Sequence, residues 1–107
     1  MGRLSDQTIP NRVRCGGISY KVRLVTPRQM AEMMSEGDSP LGAVCWDDET
    51  IYIRDDLSHT RTFIVFCHEL GHVLADTAGY GDDMGEQIAQ RLERPLASMF
   101  ADNGWLP

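Results

Sequence analysis

The 107-residue chain has no C-x-x-C pair among its three cysteines, and its 10 Lys and Arg are outnumbered by 16 Asp and Glu for a net charge of −6. It also has no apolar run near the about 18 residues that a membrane span requires. Each shortage excludes something. Cys15, Cys45 and Cys67 are an odd, unpaired set that builds neither a disulfide framework nor a thiolate zinc knuckle, and they fit a reducing cytosol. The start, Met1-Gly2-Arg3-Leu4, has no apolar leader, so a soluble, unprocessed, cytoplasmic protein with no membrane partner is expected. The cations Arg12, Arg14, Lys21 and Arg23 are scattered in an acidic chain, which speaks against a nucleic-acid partner. A chain of this length makes one domain with one core.

What is present is concentrated between Phe63 and Ala75, an otherwise apolar stretch whose three ionisable side chains are His68, Glu69 and His72. A helix turns 100° per residue, so His68 and His72 leave the same face about 40° apart and about 6 Å along the axis. Two imidazoles so placed can reach one tetrahedral zinc at about 2.0–2.1 Å, with Glu69 beside it to take the proton of an attacking water. With three His and six Glu, a shuffled chain would show H-E-x-x-H with a probability of roughly 0.003. A purely structural role would bury three polar groups in an apolar helix without strong partners, at a cost of several kcal/mol. Cys67 reads as a small buried apolar residue.

The elements around this stretch can be read in order. Residues 1–11 show no period and end in Pro10-Asn11, a loose arm before a single domain over 12–107. Arg12 to Cys15 and Ile18 to Leu24 alternate on either side of Gly16-Gly17, which predicts a hairpin. Thr26-Pro27-Arg28-Gln29 is a T-x-x-Q capping box with proline at the first helical position, opening a short helix over about 27–36 whose Met30, Met33 and Met34 face the core. Leu41 to Trp46 and Thr50 to Arg54 flank the turn Asp47-Asp48-Glu49 and predict a second hairpin. The metal helix starts near Ser58, a ready N-cap, and runs to about Thr77, where Gly79 stops it. His59 lies in its first turn, too far from His68 to share a metal. Asp82-Asp83 opens a last helix with the stripe Ile88, Leu92, Leu96, Met99 and Phe100, and Pro95 is expected to kink or restart it.

A catalytic zinc needs a third protein ligand and an open position. The extended H-E-x-x-H-x-x-G-x-x-H plan is excluded, because position 78 is Ala78. Asp76, Glu86 and Glu93 are the candidates. Asp76 lies one turn beyond His72, which suits a supporting role. A tight turn after the metal helix would bring Glu93 level with the histidines, while a wider turn or a crossing of the helices would bring Glu86. The two glutamates face the same way about 10 Å apart, so only one is expected to bind.

The order hairpin, helix, hairpin, then His68-Glu69-Leu70-Gly71-His72, then Glu86-Gln87-Ile88-Ala89 and Asp102-Asn103, resembles the ImmA/IrrE-type metallopeptidases, especially their small phage and prophage relatives. The resemblance covers about residues 12–104, although the chain departs from the fuller pattern, in which E-A-N and F-A follow closely. It implies an α+β, minimal zincin-like domain, with a small antiparallel sheet beside the active-site helix and a following C-terminal helix. It also implies that Glu86 completes the zinc set His68, His72 and Glu86, with Glu69 as the catalytic base. The implied activity is hydrolysis of a peptide bond in a protein or peptide substrate, of which a repressor-like regulator of a mobile element is one kind. The substrate would lie extended along an exposed edge strand of the second hairpin. The rival reading is a zinc-stabilised phage-type protein that acts by occluding a partner. Retention of Glu69 counts against it, because a structural zinc site needs no base.

Overall fold

In the computed structural model, which describes residues 8–34 and 39–105, the elements run β1 (Arg12–Cys15), β2 (Ile18–Val25), α1 (Pro27–Met33), β3 (Gly42–Cys45), β4 (Thr50–Arg54), α2 (His59–Thr77) and α3 (Asp82–Asn103). The local signals work as read. Gly16 and Gly17 sit at φ 60° and 81° and close the first hairpin, positions where a side chain would be strained. Thr26 accepts from the Gln29 amide while the Gln29 side chain accepts from the Thr26 amide, a reciprocal cap behind Pro27. Ser58 caps α2 by accepting from the Arg61 amide at 3.1 Å. At the other end Tyr80 donates to Ala75 and Gly79, at φ 92°, donates to Asp76, the paired bonds of a glycine-terminated helix.

Four strands form one sheet in the order β1-β2-β4-β3, with both hairpins antiparallel but β2 and β4 parallel, Val22 opposite Ile51 and Leu24 opposite Ile53. The sheet is therefore mixed, where two hairpins alone suggested an antiparallel one. Burial explains the order: Ile51 and Ile53 of β4 are fully buried, which suits a central strand, whereas every residue of β3 is half-buried, which suits an edge. Alternation within a strand sets its face but not its neighbours.

α2 lies across the inner face of the sheet. Phe63, Phe66, Cys67, Leu70 and Val73 pack with Tyr20, Val22, Ile51 and Ile53 into the main core. Each such side chain contributes about 1.5–3 kcal/mol by leaving water. α3 packs mainly on α2, and its buried residues are Gly85, Ala89, Ala97 and Ala101. The expected stripe holds in part: Leu96 and Phe100, half-buried, pack against the main core, whereas Ile88 and Leu92 are half-buried elsewhere and Met99 is exposed. Small residues win the contact because they let two backbones approach closely. A Cβ on Gly71 would stand 2.7 Å from Ala89 Cα. α3 also runs through Pro95 without a restart. Pro95 is exposed, so the carbonyl it deprives of a donor can turn to water. In α1, only Met30 is buried, while Met33 is exposed and Met34 half-buried, and residues 35–36 lie outside the described residues.

Candidate metal centre

His68 and His72 leave α2 on the side turned to α3, their ring centroids 5.1 Å apart. The chain turns back tightly at Gly79, and α3 runs antiparallel to α2, with Ala89 against Gly71 and Gly85 against His72 and Ala75. Although a tight turn was expected to favour Glu93, this register places Glu86 between the histidines: its Oε1 lies 2.8 Å from His68 Nε2 and 2.9 Å from His72 Nε2. One donor atom from each of His68, His72 and Glu86 lies within 4.8 Å of the other two. Glu93, two turns further along α3, meets the opposite edge of the same imidazole, its Oε1 2.9 Å from His68 Nδ1. Both glutamates thus reach His68, one at each ring nitrogen. Asp76 and His59 are exposed and outside the group, and Cys67 is fully buried.

A family model for the IrrE N-terminal-like domain of the Peptidase_M78 family matches residues 23–101, a span holding all of these side chains. The chain belongs to this family. No curated protein and no solved structure matches it.

In this IrrE N-terminal-like domain the donor chemistry fits a metal. Only an N–H can join His68 Nδ1 to the Glu93 carboxylate, so in the neutral ring the Nε2 lone pair faces Glu86. Two acceptors at 2.8 Å need a cation between them, a proton or a metal ion. Tetrahedral ligands at about 2.0–2.1 Å from zinc stand about 3.3 Å apart, so the triad would open by about half an ångström to hold one. Burial alone would push the His68 imidazole down, but its hydrogen bond with Glu93, the charge of Glu69 and the contact with Glu86 outweigh it and hold it above its ordinary value. For Glu86 burial acts upward and is outweighed by the hydrogen bonds with His68 and His72, which hold it below the usual carboxylate range.

Glu69 is different. It is 5% exposed, and desolvation pushes its carboxyl up to about 7 against the pull of His68. In the metal-free protein this buried carboxyl, one residue from His68, exchanges a proton near neutrality. It faces a cleft of about 690 Å³ walled by α2, α3 and the edge strand β3. Gly42 sets that wall: a Cβ there would stand 2.7 Å from Val65 Cγ1 and 3.1 Å from Glu69 Oε2. The contributions of Gly42 and of Glu93 as a partner of His68 Nδ1 were not legible in the sequence. For Glu93 a signal existed. It sits within the i, i+4 series Gly85, Ala89, Ala97, Ala101, the one large residue in a row of small ones.

Proposed function

We propose that the chain is a zinc-dependent metallopeptidase that hydrolyses a peptide bond in a protein substrate. One observation carries the reading: two histidines and Glu86 converge on one point beside a buried Glu69, in a cleft bordered by a sheet edge. His68, His72 and Glu86 would hold zinc, which supplies Lewis acidity toward the scissile carbonyl and lowers the pKa of water. Glu93 accepts the Nδ1 proton of His68 and so fixes the ring with Nε2 toward the ion. Glu69 takes the proton of the attacking water and returns it to the leaving amine. The outer edge of β3, whose Gly42, Ala43 and Val44 line the cleft, offers main-chain hydrogen bonds to an extended peptide. Following the resemblance, the substrate is a repressor-like regulatory protein in the cytosol. No helix among the described residues is long and apolar enough to cross a membrane.

Glu69→Gln separates this from occlusion of a partner. The amide keeps shape and zinc but accepts no proton, so incubation with a candidate substrate followed by mass spectrometry of fragments should show cleavage by the wild type and none by the variant. A variant that still inhibits the partner fully, beside a wild type that yields no fragments, would establish occlusion instead.

A further inference from the structure

The cleft is not uniform in charge. Arg61 and Arg94 line it, and neither guanidinium forms an ion pair among the described residues. Arg61 stands two turns before His68 on the same face of α2, about 10 Å along the axis. Arg94 follows Glu93, the residue on His68 Nδ1, and lies toward the same end because α3 runs antiparallel. At the other end the cleft is lined by Asp82, in the first turn of α3. One end of the cleft therefore carries two arginines and a single carboxylate, Glu93, which is engaged by His68, while the other end carries Asp82. Two unpaired cations beside a substrate path are unexpected in a chain with 16 acidic residues and a net charge of −6.

We propose that Arg61 and Arg94 form a subsite for an acidic side chain of the substrate, on one side of the scissile bond only. The inference rests on the reading of this cleft as a peptide-binding site and names the substrate class. An extended peptide advances about 3.3 Å per residue, so the distance from His68 to Arg61 corresponds to about three residues. Arg94 is closer, and the acid belongs one to three positions from the cleaved bond. The exposed guanidiniums suit a carboxylate, which they can grip with two parallel N–H bonds. The chain as a whole repels acidic peptides, so selection of acid requires a local site. Asp82 excludes a second acid at the opposite end.

The test uses zinc-loaded Glu69→Gln protein, which binds without cutting, to select from a displayed library of random dodecapeptides, in parallel with the same protein carrying Arg61→Gln and Arg94→Gln. Asp or Glu should be enriched on one side of the recovered peptides. A synthetic peptide of that sequence should bind the arginine variant about two- to fivefold more weakly, the effect of losing an exposed, partly screened charge pair. Zinc content and melting temperature of the variant should match the parent, which separates lost charge from lost fold. Recovered peptides without acid enrichment, or enrichment that survives the arginine replacements, would overturn the subsite and leave the peptidase reading standing. If no peptide is recovered, both fall.

Discussion

In the main core α2 presents Phe66, Cys67, Leu70 and Val73, each at most 7% exposed, with Phe63 buried there and also against Phe100 of α3; toward α3 it presents His68, Gly71, His72 and Ala75. The first contact is large, apolar and non-directional, and it holds the domain together. The second is built from small residues, whose value lies in how closely they let two backbones approach and hence in where Glu86 and Glu93 come to rest. Stability and site geometry are thus carried by opposite sides of one helix. A side chain can fail on one side without failing on the other.

The sharpest break of the sheet side is Phe66→Ala. Removing a fully buried ring costs about 3–5 kcal/mol, a large part of the stability of a domain this size. The melting temperature should fall by about 15 °C or more, with zinc or without. Calorimetry with and without zinc checks it, and a drop confined to the zinc-loaded protein would contradict the division. The matching break of the other side is Gly71→Val. Its Cβ would meet the Ala89 backbone at 2.7 Å, so the helices must part. Overpacking of this kind costs about 1–3 kcal/mol, less than the ring. Zinc affinity should nonetheless fall by about a hundredfold as Glu86 is drawn off the histidines. A zinc titration of a variant that retains its fold measures it.

A third effect, smaller than the loss of the Phe66 ring, sharpens the comparison through pH. In the metal-free protein the Glu69 carboxyl is raised from 4.5 to about 7, so the folded state holds a proton that the unfolded state releases at lower pH. Stability from this group is intact below the unfolded value and is lost as pH rises from 4.5 to about 7. Glu69→Gln has nothing to ionise. It should match the wild type near pH 5 and exceed it by about 2–3 kcal/mol near pH 8. Denaturant melts at the two pH values give the difference, and equal stability at both would show that Glu69 ionises freely.

How far the sequence disclosed all this follows the same division. Information carried within a few residues of chain was legible: the His68 to His72 spacing, the Thr26 and Ser58 caps, the Gly16-Gly17 turn and the stop at Gly79. Information that arises between elements was not. Alternation in β2 and β4 could not say that the two pair in parallel, and the apolar residues of α3 drew attention from Ala89, Ala97 and Ala101, whose contribution is their lack of bulk. The choice between Glu86 and Glu93 depended on the register of α3 against α2, set by Gly71 meeting Ala89. The expectation that only one glutamate binds the metal left open where the other goes, and Glu93 meets the second nitrogen of the His68 imidazole.

The central claim is that His68, His72 and Glu86 hold one zinc ion while Glu93 supports His68 from behind. Zinc affinity of the purified protein, measured against a chelator of known strength for the wild type, Glu86→Ala and Glu93→Ala, tests it most directly. The wild type should bind one equivalent, Glu93→Ala should lose about 10–100-fold, as for removal of a ligand's hydrogen-bond partner, and Glu86→Ala should lose more. A wild type that binds no zinc, or a larger loss at Glu93→Ala than at Glu86→Ala, would contradict it.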